Sequence, residues 1–106
     1  MTIIGLTGDG KKIAHLIASG PTSYPTGGFT ITVAELEKID GLVLSIRSNL
    51  KVSNLVHAVD YSYSRNTITV TLYRIDVTAA APSAWAELPS GTDVSSLVLE
   101  IVAIGT

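Results

Sequence analysis

The stretch Gly5 to Lys11, GLTGDGK, has the spacing G-x-x-x-x-G-K. In a phosphate loop of that spacing, glycine amides wrap the phosphate and the lysine reaches its outer oxygens. The next position should carry a Ser or Thr to hold Mg²⁺, and here it is Lys12. Only a few apolar residues precede the loop, too few for the buried strand that such a loop follows. The stretch therefore reads as a Gly-rich turn.

The remaining ionisable side chains do not converge. Asp9, Asp40, Asp60, Asp76, Asp93, Glu35, Glu37, Glu87 and Glu100 are scattered, and the two histidines are His15 and His57. Neither His-x-His nor His-Glu-x-x-His occurs, so no metal site is expected. No serine stands in G-x-S-x-G, the nucleophile elbow. A pair of carboxylates facing each other across strands would make an acid/base pair, but nothing in the spacing selects one. His57 alternates with apolar residues and is expected to be a core or interface histidine. No cofactor and no enzymatic activity are implied.

Composition points the same way. Apolar residues make up 46% of the 106 and charged residues 15%, below the roughly 25% of an average domain. Mean hydropathy is +0.43. A chain of this length forms one domain with one modest core. The excess apolar surface is then expected to meet partners. Seven Lys and Arg stand against nine Asp and Glu, with no basic cluster beyond Lys11-Lys12, so direct nucleic-acid binding is not expected. Cysteine is absent, which removes disulfides and thiolate chemistry. No apolar run approaches the roughly 20 residues of a membrane helix. The start lacks the pattern of a signal peptide, and the expectation is a protein used without secretion.

The elements follow from periodicity. Ile3, Ile4 and Leu6 fit either a first strand or an arm that adds to a neighbour's sheet; the division adopted is an N-terminal arm over 1–10 and a single β domain over 11–106. Residues 12–19 read as a strand that ends at Gly20-Pro21. The loop 20–28 carries Tyr24 at an edge, and Gly27-Gly28 can take the positive φ of a sharp reversal. Phe29 and Ile31 alternate with Thr30 and Thr32. Thr32 three residues before Glu35 forms a capping box, which predicts one short helix near residues 33–38. Strands follow over 39–49, 55–61, 67–74 and 97–104, with a five-residue hairpin loop Ser62–Asn66. The Thr-rich face of the 67–74 strand should meet solvent or a partner. The last strand, LVLEIVAI, is apolar on both alternating faces, as expected of a strand buried on both faces, or on one face of a sandwich and against a neighbouring subunit. The fold class expected is all-β, a compact β-sandwich or barrel-like domain.

Residues 78–96 form a long loop with little periodicity, a length that is usually functional or disordered. It carries the single tryptophan, Trp85, near Pro82, Leu88 and Pro89. Trp85 either closes the end of the domain's own core or anchors an interface.

The blocks Ser23-Tyr24-Pro25-Thr26-Gly27-Gly28-Phe29, Leu36, Ile39-Asp40, Gly91-Thr92-Asp93-Val94-Ser95 and Ile101-Val102-Ala103-Ile104-Gly105-Thr106 occur in that order. In these blocks the chain, over about residues 12–106, resembles the head decoration (cement) proteins of tailed bacteriophages. It departs from them in a longer insertion around Ala79–Leu88. The resemblance implies a homotrimer on the outer surface of the capsid, with the major capsid protein as partner, stabilising the shell. No membrane or nucleic-acid partner is implied. In that setting Thr2, Ile3, Ile4 and Leu6 would add to a neighbouring strand. Tyr24, Pro82, Trp85 and Leu88 would meet a sister subunit or the capsid. Two alternatives stand beside it. One is a tail or baseplate component. The other is a carbohydrate- or ligand-binding module that stacks sugars on Trp85 with Tyr24, Tyr61, Tyr63 or Tyr73.

Overall fold

The computed structural model describes residues 2–6, 10–51, 55–76 and 85–106, with residues 2–6 and 76 described by their backbone alone. Eight strands are present among them: β1 (Thr2–Leu6), β2 (Lys12–Ser19), β3 (Phe29–Thr32), β4 (Ile39–Ser48), β5 (Leu55–Ser64), β6 (Thr67–Asp76), β7 (Ala86–Glu87) and β8 (Val98–Gly105). They make two antiparallel sheets. Sheet A has the order β1-β2-β8-β4, and sheet B the order β3-β6-β5, with β7 also on β6. The fold is an all-β sandwich.

Alternation builds the core between the sheets. Ala14 and Leu16 of β2 and Leu99, Ile101 and Ala103 of β8 point inward from sheet A, and Phe29, Ile68, Val70 and Leu72 point inward from sheet B. Withdrawing such side chains from water is the main stabilising term, at roughly 25 cal/mol per Å². Loop residues finish the core: Tyr24, Val33, Leu36, Leu88, Val94 and Leu97 are all buried.

Three local expectations need correction. The segment 33–38 is a turn and no helix. Its one short-range bond runs from the Leu36 N–H to the Val33 carbonyl. Several of its other backbone groups are taken by distant partners. Val33 N–H donates to Asn66 O, Glu37 N–H to Thr106 O and Ile39 N–H to Arg65 O, and Asn66 Nδ2 donates to Leu36 O at 3.0 Å. A helix would have to break these tertiary bonds, and short helices have little stability of their own.

The N-terminal residues do not form a free arm. β1 pairs antiparallel with β2 of the same chain, Thr2 opposite His15 and Leu6 opposite Lys12. The Gly-rich stretch thus connects two strands. A phosphate loop would open a helix, and Lys12 instead begins β2. Lys11 pairs with Asp40.

The hairpin between β5 and β6 turns on two residues, Arg65 and Asn66, where a five-residue loop was expected. Arg65 takes a left-handed φ of 56°, the conformation that a tight two-residue reversal requires. Ser62 and Ser64 remain in the ladder, opposite Thr69 and Thr67.

Candidate interaction surface

The residues selected from the sequence are dispersed. Thr2, Ile3, Ile4 and Leu6 lie along β1, at one edge of sheet A. Pro82 is outside the described residues. Trp85 stands just before β7 and is 48% exposed. Tyr24 and Leu88 are buried within the chain's own core and are not available to a partner as they stand.

Tyr24 has a different task. β3 pairs with β6 as far as Phe29 opposite Val70, and β7 pairs from Glu87 opposite Tyr73. Between these ladders the Leu72 N–H has no strand partner and donates to Tyr24 Oη at 3.1 Å. Tyr24 Oη in turn donates to Glu87 Oε2 at 2.7 Å. Gly27 N–H donates to the same oxygen at 2.7 Å. Main-chain bonds hold the loop around the ring, with Tyr24 N–H donating to Thr92 O and Gly91 N–H to Tyr24 O. Burial pushes the phenol up to about 12, the Leu72 bond opposing and the Glu87 carboxylate adding to the rise.

Ionisable groups elsewhere serve locally. Asp93 accepts from the Ser95 N–H and hydroxyl, which holds its carboxyl below the usual range. His57 stands opposite Arg74. Its Nδ1 is buried without a hydrogen-bond partner, and burial, then Arg74, lowers its pKa. Among the described residues no three His, Asp or Glu side chains gather as metal ligands, and no helix is long and apolar enough to cross a membrane.

Of the aromatic residues, Tyr24 is buried, and Tyr73, opposite Glu87 in the β6–β7 ladder, is the tyrosine placed beside Trp85. Trp85 precedes the Ala86–Arg74 pair, whereas Tyr61 and Tyr63 stand opposite Val70 and Ile68. At about 3.4 Å per residue they lie roughly 14 and 20 Å along the strand from that pair.

The feature that sequence reasoning did not resolve to residues is the outer face of sheet A. Its side chains alternate with the core positions and align in rows across three strands. Ile13 pairs with Ile104 and that with Gly41; His15 pairs with Val102 and that with Val43; Ile17 pairs with Glu100 and that with Ser45. Val43 is 64% exposed and Ile17 49%. Ile13, Gly41, Leu42, Val43, Val102 and Ile104 line an open groove of about 320 Å³. The polar element of this face is internal: His15 Nε2 lies 2.8 Å from Glu100 Oε2. A carboxylate only accepts, so the imidazole N–H is the donor. The signal was present in LVLEIVAI and in Leu42-Val43-Leu44, which place apolar residues on both faces of one sheet. No family model, curated protein or solved structure matches the chain.

Proposed function

We propose that this chain is a non-enzymatic virion structural protein, a decoration or cement protein that binds the outer surface of a phage head as a homotrimer and stabilises the shell. The observation that carries this reading is the set of large apolar side chains displayed on strands whose other face is packed into a core. Val43, Ile17 and Val102 on sheet A and Trp85 beside β7 are exposed. A sandwich of this size can hold such side chains rigidly while leaving them uncovered, which suits an interface more than a ligand cavity. The resemblance of residues 12–106 to phage decoration proteins supplies the partner, the major capsid protein. Trp85 is the residue assigned to the shell contact, since tryptophan is enriched where binding energy concentrates.

The test is co-sedimentation of the purified chain with expanded phage heads stripped of accessory proteins, followed by the heat resistance of the loaded shells. Binding that saturates and raises the disruption temperature is expected, with Trp85→Ala weakening it by about tenfold or more. Location on purified tails or baseplates would overturn the capsid reading in favour of another virion component. Binding to glycans that is lost in Trp85→Ala would favour the ligand-binding module.

A further inference from the structure

We propose that β5 is an acceptor edge, to which an extended peptide segment of a partner protein adds as a further strand of sheet B. The segment it fits carries apolar side chains at alternate positions and a basic residue level with Asp60. The site is separate from Trp85 and from the shell contact proposed above, and depends on neither.

Sheet edges invite pairing, and folds blunt them with short strands, bulges, prolines or lysines. Three of the edges here are blunted in that way. β1 shifts register between Ile3 and Gly5, and β4 does so twice, at Ile39/Gly41 and at Ile46/Ser48. The other edge of sheet B is split between the four residues of β3 and the two of β7, with Tyr24 Oη filling the gap at Leu72. β5 has none of these devices. Its ten residues pair with β6 in unbroken register, and LVHAVDYSYS contains no Lys, Arg, Pro or Gly.

The main chain of β5 is also aimed for pairing. Leu72 makes its main-chain bonds to Tyr24 Oη and Leu88, on the β7 side. The even residues of β6 therefore turn away from β5, and the odd ones turn towards it. By the register, the even residues of β5 are their bonded partners. Leu55, His57, Val59, Tyr61 and Tyr63 are left with their N–H and C=O groups pointing outward. Tyr61 shows this directly, since its N–H donates to Asp60 Oδ1 at 2.9 Å, a local cap.

The side chains of the same residues face the space between the sheets, with Val59, Tyr61 and Tyr63 opposite the core residues Leu72, Val70 and Ile68. Tyr61 and Tyr63 are nevertheless exposed, and so is Ile46 of β4, which pairs with the core residue Leu99. Tyr63 Oη donates to Asp40 O at 3.3 Å, so β5 stands across from β4 and the sandwich is open along this side. One more strand on β5 covers these side chains with its own apolar ones. His57 Nδ1, buried without a hydrogen-bond partner in this row, offers that strand a further polar contact. Pairing takes over the Tyr61 N–H and frees Asp60, the one acidic side chain of β5, to face a Lys or Arg. A second copy of β5 is the poorer occupant, because it brings another Asp60 to the same edge and sets the bulged β4 of each copy side by side.

The probe is a blocked synthetic peptide as long as β5, alternating valine with threonine and with one central threonine replaced by lysine. It is titrated into the isotope-labelled chain and followed by NMR. Saturable binding is expected, with amide exchange slowed about tenfold or more at Val59 and Tyr63 and unchanged at Ala58 and Ser62, which already bond to β6. The same peptide with N-methylated amides along its pairing edge is expected not to bind. Val59→Pro deletes an outward N–H, and Tyr61→Lys points a charge into the rim. Each is expected to weaken binding by about tenfold or more, with circular dichroism checking the fold. Tyr61 is exposed, so Tyr61→Lys keeps the test open if Val59→Pro does not fold. Asp60→Ala is expected to lose the preference for the lysine-bearing peptide over an all-threonine version. No saturable binding up to millimolar peptide overturns the proposal. Equal slowing at odd and even amides, or full affinity in Tyr61→Lys, does the same. Protection of Val59 and Tyr63 that arises without peptide and grows with protein concentration assigns the edge to a second copy and likewise overturns it.

Discussion

The Tyr24 hydroxyl donates to Glu87 Oε2 at 2.7 Å while accepting the Leu72 N–H at 3.1 Å. One phenol therefore fills the place of a missing strand pair on the edge of β6. It joins the loop 20–28 to β7 and to the middle of sheet B. The ring is fully buried, and the Leu72 bond is shielded from water with it, whereas the Glu87 bond is part-buried.

Removing that hydroxyl should be costly. Tyr24→Phe keeps the ring but leaves the Leu72 N–H without its partner, while Glu87 Oε2 keeps only the Gly27 N–H, and an unpaired buried donor costs about 1–3 kcal/mol. Urea unfolding of Tyr24→Phe, Glu87→Gln and the double variant checks this. A coupling energy above about 0.5 kcal/mol is expected, because the two groups share one network.

The same hydroxyl shapes the alkaline limb of stability. Its folded pKa is about 12 against an ordinary value of 10.0. Below pH 10 both folded and unfolded chains keep the proton, and its contribution is complete. Between pH 10 and 12 the unfolded chain releases the proton while the folded chain holds it, so stability falls as pH rises. The loss through this window is on the order of 2–3 kcal/mol, at about 1.4 kcal/mol per unit. Tyr24→Phe should flatten that part of the curve in denaturant titrations run from pH 9 upward.

His57 acts at the acidic end. Burial and the facing Arg74 lower its pKa from 6.5. As pH falls below 6.5 the unfolded chain takes up a proton that the folded chain resists, so stability drops with acidification until the depressed pKa is passed. His57→Leu should remove this dependence. It also removes the unpartnered Nδ1, so the variant is expected to melt at or above the native temperature at mildly acidic pH.

Gly20, Gly28 and Gly105 mark backbone approaches that admit no side chain. Gly28 has φ +106°, and a Cβ there would overlap the Val70 carbonyl oxygen; at Gly105 a Cβ would overlap the Lys38 carbonyl oxygen. Gly28→Ala combines overlap with an unfavourable φ, and Gly105→Ala would push β8 from the start of β4. Each is expected to cost about 3 kcal/mol or more, read as a drop in the midpoint of urea unfolding. Gly27→Ala separates the causes: it has φ +93° but open space around it, so its loss should be smaller.

Much of the sandwich was legible from alternation or from continuous apolar runs in the long strands. β6 falls where apolar and polar residues take turns, so its core residues Ile68, Val70 and Leu72 could be named from that pattern, whereas β4 and β8 stand out as apolar runs bounded by turns. The turn at 33–38 was not legible, since a capping box and a helical face describe local chemistry only. Asn66, Arg65 and Thr106 compete for its backbone from far along the chain. Tyr24 was misplaced for the same reason. A tyrosine in a Pro- and Gly-rich loop suggests an edge, and the partners that draw it inward stand at 72 and 87. The exposed rows of sheet A were visible only as excess hydropathy. Which residues share that face depends on the pairing of β2 and β4 with β8, which periodicity alone does not fix.

That pairing also orders events in time. β8 lies between β2 and β4, and its ladder joins Lys12 to Gly105 across nearly the whole chain. The β5–β6 hairpin closes on two residues and can form as soon as its strands exist. Sheet A beyond β1–β2 must wait for β8. Until then β2 and β4 present unpaired edges and bare apolar faces, and closing such long loops is slow. This interval is where the chain is most exposed to aggregation during synthesis, and lowering the expression temperature should raise the yield of folded protein.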